Sequence, residues 1–274
     1  MENTGMYSLE LNCFLHEKGI WQSLENALQI KRSMGVLRGK TDKADCRTIA
    51  MYAYRFCDGL KQYVLPCATL LRLRALFSQR ERLVDMHRQV QVSNQSMQGY
   101  PPDLTKDIQK QNEMLLENLS LQIKLSDKAI RECLKADAEL QRKSRLIQSI
   151  PGIGQQIATY LLIISRGMES FSTPRQFACY SGCAPFEHSS GTSIRGKTRV
   201  HFLANKKMKM LLHMAAINAI TFNEELKVYY QRKIAEGKNP MSVLNAVRFK
   251  LIGRIFSVVR RNEEFQKEYR KIAA

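Results

Sequence analysis

Apolar residues recur at helical spacing over most of the chain, and this pattern predicts a mostly helical protein. The segment 42–56 follows Thr41, a residue type that caps helix N-termini, and it carries apolar residues along one side. Two longer helical runs occupy 68–92 and 104–146, with apolar positions three, four and seven residues apart. A polar stretch and two consecutive prolines separate these runs.

The two long runs together predict an antiparallel coiled-coil hairpin, because a short turn that contains proline joins them. An ordinary pair of core helices in a bundle would give the same pattern, so both interpretations stay open. The apolar seam is expected to consist of Leu73, Leu76, Phe77, Leu83, Val84 and Val90 on the first helix, and Leu115, Leu119, Ile123, Ile130, Cys133 and Leu140 on the second.

The second half of the chain predicts further helices around a polar loop. Helical periodicity resumes in 155–165 and returns in 206–221, 224–236 and 240–261. Residues 181–200 are rich in glycine, serine and threonine, and we expect them to form an exposed loop.

Positive charge is concentrated in this second half. The formal net charge is +18; residues 1–140 hold 20 Lys and Arg against 17 Asp and Glu, whereas residues 141–274 hold 23 against 8. A domain this basic attracts polyanions and releases counterions when it neutralises phosphates. We find no apolar run long enough to span a bilayer and no secretory signal, so nucleic acid is favoured over membrane as the partner. A solvated basic face is the alternative.

The seven cysteines form no CxxC pair and have no histidine at zinc-finger spacing. Cys179 and Cys183 are four residues apart, but a second pair of zinc ligands is missing. We therefore expect free thiols in a reducing cytoplasm, most of them small core residues.

The segment 147–158 has the form of a helix-hairpin-helix. Pro151, Gly152 and Gly154 make the hairpin, and glycine lets the backbone adopt positive φ and come close to a phosphate. The next helix begins near Gln155, so its free N–H groups and its dipole could face that phosphate. The alternative is an ordinary tight turn between two helices.

A serine-rich stretch beside basic residues suggests a second kind of chemistry. Ser190 lies in the loop 182–199, followed by the cations Arg195, Lys197, Arg199, Lys206 and Lys207. Such a serine is a plausible nucleophile, because cations lower the hydroxyl pKa and hold a phosphodiester in place. A phosphate-binding loop without a covalent role would look the same, and His188 is either a general base or incidental.

An acidic pair marks the start of the 42–56 helix. Asp42 and Asp45 are three residues apart, so both lie on one side of the helix. The pair could bind a divalent cation with a third carboxylate from elsewhere. Acidic residues in a first helical turn also occur simply to favour the helix dipole.

These motifs together resemble the DEDD transposases of bacterial insertion sequences, relatives of the Piv invertase that act as serine recombinases guided by a bridge RNA. The resemblance runs from about residue 147 to about residue 260, and Glu2-Asn-Thr-Gly and Thr41-Asp-Lys-Ala-Asp resemble the N-terminal domain of the family. The motifs that carry it in the second half are Ser149-Ile-Pro-Gly-Ile-Gly, Tyr180-Ser-Gly-Cys-Ala-Pro, Ser190-Gly, Lys197-Thr and the helix 206–220.

The resemblance implies a mixed α/β, mostly α fold in three parts. Residues 1–66 would form a partial resolvase-like, RNase H-type catalytic region, 67–145 the coiled-coil hairpin, and 146–274 a helical C-terminal domain with the helix-hairpin-helix and the serine loop. It assigns catalysis to Ser190, with Ser189 as its nearest competitor, and Mg²⁺ binding to Glu2, Asp42 and Asp45.

The implied activity is DNA strand exchange through a covalent serine–DNA intermediate, with DNA, a guide RNA and further copies of the chain, as a dimer or tetramer, as partners. We expect a cytoplasmic, nucleoid-associated protein. The first catalytic aspartate of the family has no counterpart before Glu2, so we expect an N-terminally truncated recombinase. The alternative is a catalytically impaired remnant that only binds DNA or RNA.

Overall fold

A computed structural model describes residues 1–5, 7–35, 41–184, 186–190 and 194–266. The two strands and residues 98 and 102 are described as backbone only. The chain divides into two compact units, Met1–Cys67 and Ala68–Ala274.

The first unit contains three helices. They are α1 (Leu9–Glu17), α2 (Ala27–Ser33) and α3 (Asp42–Arg55). The predicted cap of α3 is confirmed, since the Thr41 hydroxyl accepts a hydrogen bond from the amide of Ala44 at 3.2 Å. The buried residue of α3 is Tyr52, whereas Tyr54, which the helical pattern of 42–56 would place on the apolar side with Ile49, Ala50 and Ala53, is 80% exposed.

An α/β organisation is not evident in this unit. Its described residues form a single isolated parallel bridge, between Glu2 and Glu25, and no longer strand. The bridge is supported by two backbone hydrogen bonds, from Asn3 to the Glu25 carbonyl and from Glu25 to the Met1 carbonyl. The helical character that the sequence predicts is confirmed, whereas the RNase H-type interpretation stays a prediction.

The second unit is helical apart from one pair of strands. Its elements are α4 (Ala68–Ser96), α5 (Pro102–Lys135), α6 (Ala138–Gln148), α7 (Gln155–Ile164), α8 (Pro174–Tyr180), β1 (Phe186–Ser190), β2 (Ile194–Arg199), α9 (Lys206–Phe222), α10 (Glu224–Ala235) and α11 (Pro240–Arg261). The predicted second long helix is therefore two helices. Asp137 starts α6, because its carboxylate accepts from the amide of Leu140 at 3.0 Å.

Helices α4 and α5 pack as an antiparallel pair whose seam contains polar rungs. Arg80 Nε lies 2.6 Å from the Asp127 carboxylate, His87 Nε2 lies 3.1 Å from the Ser120 hydroxyl, and Asn112 donates to Asn94 at 2.6 Å. The rungs recur every seven residues on α4, which is the period of a heptad. The apolar seam is confirmed at the end of the pair that joins the helical core, where Leu73, Phe77, Ile130 and Cys133 are buried. It is wrong at Val84 and Leu115, which are exposed.

The core of the second unit surrounds α9 and α11. Alanines supply much of the buried face of α9, which consists of Met208, Leu212, Ala215, Ala216 and Ala219. The larger apolar residues Met214 and Ile217 of the same helix are 50% and 36% exposed. Small residues face the core here because the segment at Gly152 approaches the helix backbone closely.

The expected loop over 181–200 is wrong in part, because β1 and β2 pair there as an antiparallel ribbon. Most residues of both strands are polar. The alternation of apolar and polar residues that usually indicates a strand is therefore missing from this part of the sequence. The expected location of the cysteines is also wrong. All seven are free thiols, but only Cys133 and Cys183 are buried. In the part of the chain that the structure describes, no helix is long and apolar enough to cross a membrane.

Candidate functional site

Ser190 is the last paired residue of β1. It lies opposite Ile194, the first residue of β2. It therefore occupies the outer end of the ribbon, away from the residues at which the chain enters β1 and leaves β2. Pro185 and Gly191, which frame it in the sequence motif, lie outside the described residues. An antiparallel ribbon holds the backbone of a residue at this position through its ladder of hydrogen bonds.

The two adjacent serines fall on opposite faces of the ribbon. Successive strand residues alternate between faces, and directly paired residues share one. Ser189 is paired with Arg195, whereas Ser190 shares its face with His188, two residues earlier. The register therefore pairs Ser189, and not Ser190, with a cationic residue.

An irregularity in the ribbon changes this alternation nearer its base. His188 pairs with Gly196 and Phe186 pairs with Arg199, so β2 contains one more residue than β1 over this interval. A bulge of this kind moves the residues beyond it to the other face. Arg199 thereby shares the face of His188, and Lys197 lies within the irregular stretch.

The base of the ribbon is fixed by close contacts. Gly182 has φ +68°, and a Cβ atom there would lie 3.0 Å from the side chain of Val200 and 2.9 Å from that of Ala204. The two chain segments that lead into and out of the ribbon are therefore in contact. On the other side, the Asn245 amide donates to the Cys183 carbonyl at 2.8 Å and ties the ribbon to α11.

The glycine at position 152 is required by α9. Gly152 has φ +93°, and a Cβ atom there would lie 2.6 Å from the carbonyl oxygen of Ala215 and 2.9 Å from the amide nitrogen of Ala219. Because this contact leaves no room for larger side chains, the residues of α9 that face the loop are alanines. The space beside Gly152 is thus filled by protein, and a phosphate-binding role for this residue and for Pro151 stays a prediction.

Gly154 faces open space instead. It is the N-cap of α7 and is exposed, and a Cβ atom there would have no neighbour within 4 Å. Because glycine provides no side-chain cap, the first N–H groups of α7 have no capping oxygen from that residue. Such a helix start attracts anions.

The two lysines that begin α9 have different surroundings. Lys206 is exposed. The Lys207 ammonium pairs with the Glu81 carboxylate and lies 4.7 Å from the ring centre of Phe77 and 4.9 Å from that of Tyr160. Burial lowers the pKa of Lys207 to about 8, with a smaller contribution from the nearby Arg80, while the pairing with Glu81 acts in the opposite direction. Lys207 thus connects α9 to α4 and α7.

A hydrogen-bonded group beside Lys207 was not predicted from the sequence. Asn205 caps α9 by accepting from the amide of Met208 at 2.8 Å, and its side chain also bonds the hydroxyls of Tyr160 and Tyr180. Burial raises the pKa of Tyr160. The sequence signal available was Asn205 immediately before a helical run, which is typical of an N-cap.

Helix α11 contains a buried arginine that was not predicted from the sequence. Arg248 is 4% exposed, and it lies four residues after Leu244 and three before Leu251 on the apolar face of the helix. A charged residue at a core position is unusual and was visible in the helical pattern.

The three predicted acidic ligands do not form a metal site in this structure. Asp42 and Asp45 are exposed in the first turn of α3, and Glu2 is half-buried in the isolated bridge. Among the described residues, no three His, Cys, Asp or Glu side chains come together so that they could hold a metal ion. The residues as placed do not fit Mg²⁺, and their assignment as ligands stays a prediction from the family resemblance.

Comparison with known sequence families identifies two matching regions. Residues 144–231 match the transposase IS116/IS110/IS902 family, and residues 1–98 match the DEDD transposase region of IS110. The first region contains the α6–α7 loop, the ribbon and the start of α9, and the second contains the predicted acidic residues. Both regions come from the same kind of transposase.

Individual relatives agree with this assignment. The chain is 27% identical over 272 residues to the pilin gene-inverting proteins of Moraxella lacunata and Moraxella bovis, covering 97% of this chain and 81% of each relative. It is 29% identical over 133 residues to an uncharacterized 43.6 kDa protein of the insertion element IS110 of Streptomyces coelicolor, covering 48% of this chain and 33% of that protein. The chain thus contains, in order along the sequence, two regions that are each similar to transposases of the IS110 kind.

Proposed function

We propose that this chain exchanges DNA strands through Ser190, which forms a covalent bond to DNA. The observation that carries the proposal is the position of Ser190 at the outer end of a ribbon whose base is fixed to the helical core. The strongly basic second half of the sequence supports it, because a protein that cuts DNA must hold the phosphate backbone. The pilin gene-inverting relatives, whose name describes inversion of a gene, are consistent with strand exchange.

The proposed reaction conserves the energy of the DNA backbone. The Ser190 hydroxyl oxygen attacks the phosphorus of a phosphodiester, and the bond from phosphorus to the 3′ oxygen breaks. The proton of the hydroxyl passes to the departing 3′ oxygen, and the 5′ phosphate stays on the serine. A 3′ hydroxyl from another strand then attacks the phosphoserine, takes the phosphate and releases Ser190.

The register favours Ser190 over Ser189 for this role. Ser190 shares a face of the ribbon with His188, a residue type that can accept the hydroxyl proton, and past the bulge with Arg199. Ser189 is paired with Arg195 on the other face of the ribbon. Only one of the two faces can meet a given phosphodiester.

The remaining predicted nucleic-acid contacts are assigned to backbone binding. We assign phosphate contacts to Lys206, to the N-terminus of α7 at Gly154, and to the ribbon cations Arg195, Lys197 and Arg199. These groups contact phosphate and carry no base specificity by themselves. Lys207 is assigned a smaller part, since its ammonium is already paired within the protein.

Three further parts of the proposal come from the family resemblance. A guide RNA is the expected source of sequence specificity, because the basic groups named above contact only backbone. A dimer or tetramer is expected to bring the acidic residues of one copy to the serine of another. Since the acidic residues of a single chain do not fit a metal ion, no step of the reaction is assigned to Mg²⁺ here.

The test is to trap the covalent intermediate. The full chain is incubated with DNA that carries the ends of the insertion element that encodes it, together with RNA transcribed from that element. Denaturation in detergent should leave protein attached to DNA for the native chain and for Ser189→Ala, but not for Ser190→Ala. A phosphoserine bond is cleaved by alkali through β-elimination, whereas a phosphotyrosine bond is not, so alkali treatment distinguishes the nucleophile.

Two results would contradict the proposal. An adduct that persists in Ser190→Ala would exclude this residue as nucleophile. An absent adduct in the native chain, with DNA affinity retained, would instead favour the alternative function, a protein that binds DNA or RNA without exchanging strands.

A further inference from the structure

A buried positive charge lies beneath the base of the ribbon without a counter-charge from the described residues. Arg248 is 4% exposed, and none of the described carboxylates forms an ion pair with it. Its Nε atom has no hydrogen-bond partner in the described part of the chain. A buried guanidinium without a carboxylate partner destabilises the fold, so such a group is uncommon without a role.

The position of Arg248 relates it directly to the ribbon. Asn245 precedes it by three residues, which places both on the same face of α11, and the Asn245 amide holds the Cys183 carbonyl at 2.8 Å. Cys183 is 2% exposed and immediately precedes the ribbon segment. The Arg248 guanidinium lies beside the Cys183 thiol. Burial raises the pKa of that thiol, whereas its hydrogen bond to Ser181, the positive charge of Arg248 and a hydrogen bond to Arg248 lower it.

A second cation reaches the same place from α9. A Cβ atom on Gly182 would lie 3.4 Å from Cδ of Lys209, so the stem of this lysine packs against the start of the ribbon. Its charge also acts on Cys183. Lys209 is half-buried. Two cations from two helices thus converge on one backbone segment.

We propose that Arg248 and Lys209 form an anion site at the base of the ribbon that binds one phosphodiester of a nucleic acid, separate from the phosphodiester that Ser190 attacks. The ribbon lies between the two groups, because Ser190 is four residues beyond Phe186, or roughly 13 Å along a strand. The site rests on the proposed nucleic-acid function but not on the covalent step.

The first test uses inorganic phosphate with the full chain, measured as thermal unfolding at constant ionic strength in chloride or phosphate. Arg248→Met keeps the apolar stem and removes the charge. We expect this variant to unfold at the same or a higher temperature in chloride, because the unpaired charge is gone, and to lose the added stability that phosphate gives the native chain. Lys250→Met, two residues away and exposed, is the matched control and should keep the phosphate response.

The second test uses fluorescence anisotropy with a 30-base-pair DNA duplex and a stem-loop RNA. For the polymer that occupies the site, Arg248→Met and Lys209→Met should each lower affinity by about tenfold or more and reduce the salt slope by about one unit. An effect on DNA alone or on RNA alone identifies the source of the phosphodiester.

The proposal is overturned if Arg248→Met unfolds several degrees lower and keeps the phosphate response, since the guanidinium would then be structural. It is also overturned if Lys250→Met changes the response equally. Neither measurement involves the covalent adduct, so a failure of this site and a failure of Ser190 as nucleophile are distinguishable.

Discussion

Gly152 lies directly against the backbone of Ala215, so that the α6–α7 loop and helix α9 touch without any side chain between them. We predict that Gly152→Ala destabilises the protein by about 3 kcal/mol or more. The added methyl would overlap backbone atoms that cannot move independently, and φ +93° is unfavourable for alanine. The free energy of unfolding is measured by chemical denaturation.

Gly154→Ala is the matched control, two residues along the same loop. Its backbone has φ −90°, and open space surrounds the added methyl, so stability should change by less than about 1 kcal/mol. A loop that only binds phosphate would tolerate both changes alike, and that result would contradict the packing role assigned to Gly152.

Lys207 should make stability depend on pH in the alkaline range. Its pKa in the fold is about 8 against an ordinary 10.5, so between these values the unfolded chain binds more protons. The contribution of Lys207 to the free energy of unfolding therefore rises with pH from about 8 to 10.5. This contribution is present above 10.5 and is lost as the pH falls through the folded-state pKa of about 8. The difference in unfolding temperature between the native chain and Lys207→Met should change in that window.

Lys206→Met provides the comparison for Lys207, because the side chain is adjacent in sequence and exposed. Its unfolding temperature should keep a constant offset from that of the native chain across the same pH range. A pH-independent offset for Lys207→Met as well would show that its ammonium is not buried in the way described.

Asp127 should be the most sensitive polar residue of the α4–α5 pair. Its carboxylate accepts from Arg80 at 2.6 Å and from the Gln156 amide at 2.6 Å, and its side chain is only 23% exposed. We predict that Asp127→Ala lowers the free energy of unfolding by about 2–3 kcal/mol. Glu132→Ala removes a carboxylate from the exposed pair with Lys128 and should change it by less than about 0.5 kcal/mol.

Asp42 and Asp45 allow catalysis to be separated from folding. Both are exposed at the N-terminus of α3, so Asp42→Asn and Asp45→Asn should each cost less than about 1 kcal/mol of stability. If they act in the reaction, the serine–DNA adduct should fall by about tenfold or more. Thr41→Ala loses the helix cap and about 1 kcal/mol but keeps both carboxylates, and it should retain the adduct.

Helices and caps could be predicted from the sequence because their signals are local. Helix α11 begins and ends at the predicted residues, and Thr173 and Gln176 form a complete capping box before α8. The face of α9 that packs could not be predicted from the helix alone. Its alanines contact Gly152, which is more than fifty residues away in the chain, whereas the larger Met214 and Ile217 are exposed.

The ribbon and the buried cations could not be predicted for a related reason. A strand that alternates between polar residues has no apolar face, so β1 and β2 resemble a loop in sequence. Lys207 belongs to an obvious basic cluster, but only the fold shows that its ammonium meets Glu81 on α4. Pairings of this kind depend on contacts between distant segments, which local pattern does not contain.

The spacing of the polar contacts between α4 and α5 has a consequence for the length that this helix pair can have. Arg80, His87 and Asn94 repeat every seven residues on α4, whereas their partners on α5 are seven and eight residues apart, so the repeat is exact on α4 only. Inserting seven residues in both helices would extend the α4–α5 pair by about 10 Å. The contacts that the pair makes with the helical core would stay in place. The reach of the protein can therefore be lengthened or shortened in whole modules, without redesign of the domain that holds the ribbon.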